Sequence, residues 1–298
     1  MKMETNHREE FNGNQNSGPV EISHDNNIIE QMTVLNSANF LCKFTDKLTY
    51  LIEYIRDMAI KLRYVEEKKE YLHLPDFQTL TFPMCCFCDI PLSKLSSHMI
   101  TYGKYGLALK KKDCIKKDIQ PICYINRNAQ IATDISEACA KLVRMKPIKD
   151  DYSFLLNILM TQLMYMKPIT GYMQRGEDME KPTVFIDECE WRYIPTMPNS
   201  MPLFLPRSDN TIKGRNVYSA ALAKYKETWF TFDIDQIDYI IVPSEPEADV
   251  TISAIANMKG KSKDEKYKLI SKIEVATKFK EDLITTFRIF RRQIIEYP

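Results

Sequence analysis

The sequence predicts an α+β fold: a mixed or antiparallel central sheet of about six strands, flanked by helices, with a long C-terminal helix. Three observations carry that expectation. Several short apolar runs of strand length are bounded by Pro, Asp or Gly. Between them lie stretches with apolar residues at three- and four-residue steps. The two kinds of element are interleaved irregularly, which favours α+β over a doubly wound parallel sheet.

Taken in order, residues 1–36 are rich in Asn, Glu, Ser and Gly and poor in large apolar side chains. Such a stretch cannot bury enough surface to offset its ordering entropy, so a disordered Asn-rich tail is expected. A single α+β domain is expected over 37–258, beginning with a strand over 38–44. Thr45 then reads as an N-cap. Leu48, Leu51, Ile52, Ile55, Ala59 and Leu62 behind it recur with helical spacing. Arg63-Tyr64 follows, and Glu66-Glu67-Lys68-Lys69 reads as a solvated loop.

Leu80 to Cys88 is an almost unbroken apolar run, the signature of a central strand, ended by Asp89 and Pro91. Pro91 suits the first position of a helical turn. Strands are expected at 105–109 and 121–125. Two helices follow, one with Ile135, Ala138, Cys139, Leu142 and Val143 as its stripe, the other running from Phe154 to Met164 before Pro168. Residues 185–195 read as one strand, 197–208 as a Pro-rich connection, 229–232 and 239–242 as two more strands, and 248–258 as helix. The residues 259–298 are expected to form a helical extension with Ile270, Ile273, Phe279, Leu283, Phe287 and Phe290 as its seam.

Composition narrows the functional classes. With 41 Lys and Arg against 40 Asp and Glu, the 298 residues carry a net charge of only +1, so any nucleic-acid or lipid contact must be local. Eight glycines, with neither a P-loop nor a G-x-G-x-x-G pattern, argue against a Gly-rich phosphate cradle. The eight cysteines and four histidines show no zinc-ligand spacing, and no metal is expected. No apolar run approaches the roughly 18 residues of a membrane span, and the first ten residues have no apolar core of a signal peptide. The expectation is a soluble cytoplasmic protein with reduced thiols.

Two groups of residues could carry chemistry. Glu188, Glu190 and Arg192 alternate along the expected strand and would share one face. Two neighbouring carboxylates raise each other's pKa and a guanidinium lowers it, a combination suited to polarising a hydroxyl or stabilising a developing cation. A surface row of charges with one cross-strand ion pair satisfies the same pattern. The second group is Asp89 at a strand end, His98 on the turn after it, and the Tyr-Gly steps at Tyr102-Gly103 and Tyr105-Gly106, which allow close backbone approach. His98 and the glycines serve equally as helix-end and turn residues. Between Lys94 and Asp118 seven lysines face two aspartates, which nominates Lys110, Lys111, Lys112, Lys116 and Lys117 for phosphate contact. From Lys259 onward eleven basic residues face six acidic ones. Solvated surface explains both runs as well.

The stretch from Phe82 to Ser93, then His98, then Tyr102 to Lys111 resembles the AbiGi family of abortive phage resistance proteins. Asp187 to Pro195 and Asp235 to Pro243 match its pattern in the same order, so the likeness spans roughly residues 40–255. Members are commonly labelled antitoxins of bacterial abortive-infection systems. The resemblance therefore implies a component of an anti-phage, toxin–antitoxin-like system and a protein partner encoded nearby.

A second likeness concerns the ADP-ribosyltransferase fold. Phe44-Thr45, Leu48 to Ile52 and Arg63-Tyr64 look like its opening strand and helix, with Lys43 standing where that superfamily carries His or Arg. This resemblance implies NAD as cofactor, bound by Lys43, Thr45, Arg63, Tyr64, Asp89, Tyr102 and Tyr105. Glu190, with Glu188 in reserve, would then stabilise an oxocarbenium-like ribose beside Arg192 and His98. Three readings stand open: partner binding in phage defence, an NAD-dependent transferase, and a nucleic-acid-binding regulator.

Overall fold

The structure is a computed structural model that describes residues 38–74, 78–144, 149–173 and 180–277. The expected tail at 1–36 and most of the expected C-terminal extension lie outside these residues.

In chain order the strands are β1 Phe40–Thr45, β2 Ala59–Ile60, β3 Arg63–Lys68, β4 Thr79–Cys88, β5 Tyr105–Lys110, β6 Ile119–Pro121, β7 Cys123–Ile125, β8 Met166–Pro168, β9 Thr170–Met173, β10 Lys181–Val184, β11 Glu190–Tyr193, β12 Phe230–Thr231, β13 Ile237–Val242 and β14 Ile273–Val275. The helices are α1 Leu48–Asp57, α2 Leu95–Tyr102, α3 Lys111–Ile115, α4 Gln130–Arg144, α5 Lys149–Met164, α6 Ile212–Leu222, α7 Glu245–Ala256 and α8 Lys263–Ile270. The central sheet has the order β14-β13-β5-β1-β4-β11-β6, with β3 also paired to β4, eight strands among the described residues. All its pairings are antiparallel except β13 with β14. The α+β class is as the sequence implies.

Directly opposed residues share a face of a sheet, so register sorts the core. Leu41, Cys85, Phe87, Leu107, Leu109, Ile240 and Val242 point to one face. There they pack with Leu51 and Ile55 of α1, Ala248 and Ile255 of α7, and Leu269 of α8. On the other face Cys42, Phe44, Cys88, Ala108 and Ile241 meet Leu95 and Met99 of α2. Further along that same face Phe82 and Met84 meet Ala132, Ile135 and Cys139 of α4 and Leu159 and Leu163 of α5. The first helix of the sequence forms because its apolar stripe lands on the sheet.

Several elements differ from expectation, among them the strand expected at 121–125, which is split into β6, paired with β11, and β7, paired with β8. Thr45 is not a cap: it ends β1, buried, while Lys47 holds the N-cap position of α1. Helix α1 stops at Asp57 because Met58 turns left-handed (φ 47°), and Ala59-Ile60 pairs with β12 instead. Glu66 to Lys68 is strand, not loop, laddered to Thr79–Thr81, and Lys69 behind it is fully buried.

Within 259–277 there is no continuous helix. Ser262 and Glu265 form a capping box that starts α8, which ends at Ile270, and Ile273–Val275 then pairs in parallel with Ile240–Val242. The alternating Ile273 and Val275 suit a strand, and the sheet edge supplies a partner that helical spacing alone does not reveal.

Candidate functional site

Residues 185–193 break where a single strand was expected. Phe185–Glu188 is one 3-10 turn, and Cys189, at φ 44° and ψ 50°, pivots the chain into β11. Asp and Glu are poor strand formers, and two in succession suit a tight turn better. Glu188 and Glu190 therefore do not sit in one strand row, yet both carboxylates reach the same cation. Lys167 Nζ lies 2.6 Å from Glu188 Oε2 and 3.0 Å from Glu190 Oε2. Arg192, two residues along β11, donates from Nε to Glu190 Oε1 at 2.8 Å.

Around this centre the charges alternate. Arg192 Nη2 lies 2.7 Å from Glu190 Oε1 and 3.2 Å from Glu67 Oε2, and Arg192 Nη1 donates to the Met164 carbonyl. The Lys69 amine donates to the Met166 carbonyl and lies 4.0 Å from Glu67 Oε2. Tyr102 donates its hydroxyl proton to Glu188 Oε1, and Tyr124 accepts the backbone N–H of Glu190 at 2.8 Å. Arg192 and Lys69 have no exposed surface, and Glu188 and Glu190 are buried. The surface-row alternative fails on that burial.

The two carboxyls are driven apart electrostatically. Burial pushes Glu188 above the usual carboxylate range, although Lys167 and the Tyr102 hydrogen bond oppose it. Burial acts on Glu190 in the same direction, but there Arg192 and Lys167 prevail and hold it well below that range. Lys167 and Arg192 are raised in turn: burial disfavours their charge, and the surrounding carboxylates, Glu190 foremost, outweigh it. Lys69 is the exception. Burial dominates and brings its amine down to about 7, with Glu67 resisting.

The other nominated residues are dispersed. Asp89 accepts from Lys111 Nζ at 2.7 Å and from the Ala38 N–H at 3.0 Å. His98 stacks on Tyr102 with ring centroids 4.1 Å apart and meets Phe44 at 5.5 Å, on the same sheet face as Glu190. Lys43 and Thr45 share the opposite face with Leu41, by the alternation of β1, and Tyr105 is buried in the core there. Tyr64 is buried in that core too, its hydroxyl bonded to the Pro202 carbonyl, while Arg63 is exposed and donates to Asn216 Oδ1 at 3.0 Å. The sheet itself separates Lys43, Thr45 and Tyr105 from Glu188, Glu190 and His98. These residues do not fit a single dinucleotide cleft. Among the described residues no group of three or more His, Cys, Asp or Glu is placed to hold a metal ion.

The lysine run is also partly engaged. Lys111 is buried against Asp89, and Lys117 donates to the Thr231 carbonyl and to Gln236 Oε1. Lys112 and Lys116 are exposed and Lys110 is half-buried.

Sequence reasoning missed Glu67, Lys69, Lys167 and Tyr124. The signal for the first two was a period of two from Val65 through Glu67 to Lys69, masked by the polarity of the run. Lys167 is flanked by the buried Met166 and Pro168 in a strand only three residues long.

Comparison with known proteins sets this geometry in a class. Residues 58–243, which include the whole charged cluster, match the family model described as "Putative abortive phage resistance protein AbiGi, antitoxin". The abortive phage resistance protein AbiGi of Lactococcus lactis subsp. cremoris is 35% identical over 248 residues, 76% of this chain and 100% of that protein. No solved structure gives a significant match. The class is thus that of phage-defence proteins. Within it, the chain belongs to the AbiGi family. No helix among the described residues is long and apolar enough to cross a membrane.

Proposed function

We propose that the chain is the restraining, antitoxin-like component of an abortive-infection system and acts by binding an effector protein encoded beside it. The family's description as an antitoxin supports a partner. The observation that carries the reading is the state of the two glutamates. Each is buried and neutralised within the chain, Glu190 by Arg192 and Lys167 and Glu188 by Lys167. A carboxylate spent in this way braces the junction of β8, β11 and α2 and is poorly placed to meet a substrate.

The transferase reading needs those carboxylates free and needs Lys43, Thr45 and Tyr105 beside them, which the intervening sheet opposes. Exposed Lys112 and Lys116 keep a nucleic-acid contact testable. Such binding would weaken steeply with salt, since each neutralised phosphate releases counterions.

The test is co-expression of the full chain with the product of the adjacent reading frame. Stable co-elution and relief of that product's growth arrest are expected. Absence of association, together with NAD consumption by the purified chain, would replace this reading with the transferase.

A further inference from the structure

Cys88 stands where three elements meet. On β4 it lies directly opposite Cys42 of β1 on one side and Glu190 of β11 on the other. Opposed residues on antiparallel strands have Cα atoms about 4.5–5.5 Å apart. That lies inside the roughly 4.4–6.8 Å that a disulfide spans. The Cys88 thiol is 3.4 Å from the Cys42 carbonyl oxygen. The Cys42 side chain and the His98 imidazole lie close enough to act on its charge. His98 is fixed by its stack on Tyr102 and its contact with Phe44. Sequence spacing hides this pairing, because Cys42, Cys88 and His98 come from three different elements.

We propose that Cys42 and Cys88 form an oxidisable pair, with His98 as its proton carrier, that a peroxide converts to a cross-strand disulfide. His98 takes the Cys88 thiol proton. The thiolate attacks one peroxide oxygen, the O–O bond breaks, and the departing hydroxide leaves as water with the proton from His98. Cys88 is then a sulfenic acid. The Cys42 sulfur attacks the Cys88 sulfur, the S–O bond breaks, and the hydroxyl leaves as a second water with the Cys42 proton. Two thiols are oxidised and one peroxide is reduced to two waters. Neither the partner reading nor the transferase reading is needed.

The electrostatics favour Cys88 as the attacking sulfur. Burial disfavours its thiolate, but the neighbouring Cys42 and His98 prevail and bring it down to about 6, with Asp89 opposing. Burial and the neighbouring Cys88 raise Cys42 well above the ordinary thiol range, so it stays protonated until the second step. Glu190 lies across the ladder, and Cys189 at the turn before it is a further titratable group that acts on the sulfur. Cys88 is itself buried, whereas His98 is only half-buried.

The test treats the reduced full-length chain with hydrogen peroxide, blocks remaining thiols with a maleimide and maps the peptides. A peptide linking Cys42 to Cys88 is expected, forming with a rate half-maximal near pH 6. In Cys42→Ser, oxidation should stop at a Cys88 sulfenic acid that dimedone traps. In His98→Gln the rate at neutral pH should fall about tenfold or more, the scale of a lost acid–base group. Its pH midpoint should also move up toward the ordinary thiol value of about 8.5. The wild-type pH profile decides the matter even where a variant fails to fold. Oxidation confined to the exposed Cys123 and Cys189, with Cys42 and Cys88 still reduced, would overturn the proposal.

Discussion

Glu190 is held by two cations inside the protein, and its removal leaves both without their shared partner. Breaking a buried ion pair from one side costs about 3–5 kcal/mol, because the remaining charge is stranded. Glu190→Gln should lose about that much in urea unfolding. Glu188→Gln should lose clearly less, since burial already works against its charged form, and equal losses would contradict the asymmetry. The depressed carboxyl of Glu190 adds stability that is complete above its ordinary pKa. That contribution drains away as acid carries the pH down through the lower folded value.

Lys69 acts in the opposite sense. Its folded pKa of about 7 lies below the ordinary lysine value of about 10.4, so across that window the unfolded chain binds more protons. Stability from this residue should therefore rise as pH climbs from 7 to 10, and below 7 its burial penalty is fully present. Urea midpoints at pH 7, 8 and 9 should rise less steeply in Lys69→Met than in the wild type. Identical slopes would mean that Lys69 is not held neutral.

At the scale of the element, the junction between α2 and β5 turns on Gly103. It has φ +119°, and a Cβ built there lies 2.4 Å from the Thr45 carbonyl carbon and 2.6 Å from its oxygen. Both the backbone conformation and the space exclude a side chain, so Gly103→Ala should cost about 2 kcal/mol or more. Because α2 carries His98 and Tyr102, circular dichroism melting should show the loss alongside slower Cys88 oxidation.

The elements that announce themselves in the sequence are those whose environment matches their pattern. Leu80 to Cys88 reads as a central strand because it is one, covered on both faces. Strand β3 did not, since the polar Glu66 and Glu67 find partners only in three dimensions, in Asn210 and Arg215 and in Arg192. Strands β8 to β10 are three or four residues each, too short for a period to register. Of the candidate site, the Glu190–Arg192 pair was visible as alternation, whereas Lys167 was not, because its role comes from folding alone.

For the whole molecule, the split of the nominated residues between two sheet faces sets one expectation. Millimolar NAD should leave the melting temperature unchanged; a rise that Glu190→Gln abolishes would revive the transferase reading. The family was recognisable because four separated blocks kept their order. The sheet faces were not, since which face a residue takes depends on register with distant strands.

The order of strands also bears on how the chain is made. The first strand among the described residues, β1, occupies the middle of the sheet, and later ones are hung outward on both flanks. Short β6 must wait for β11, some seventy residues behind it, before it can join. A nascent chain emerging from the ribosome can thus build from the centre to the rim, and one cut short would lack a border while keeping its heart.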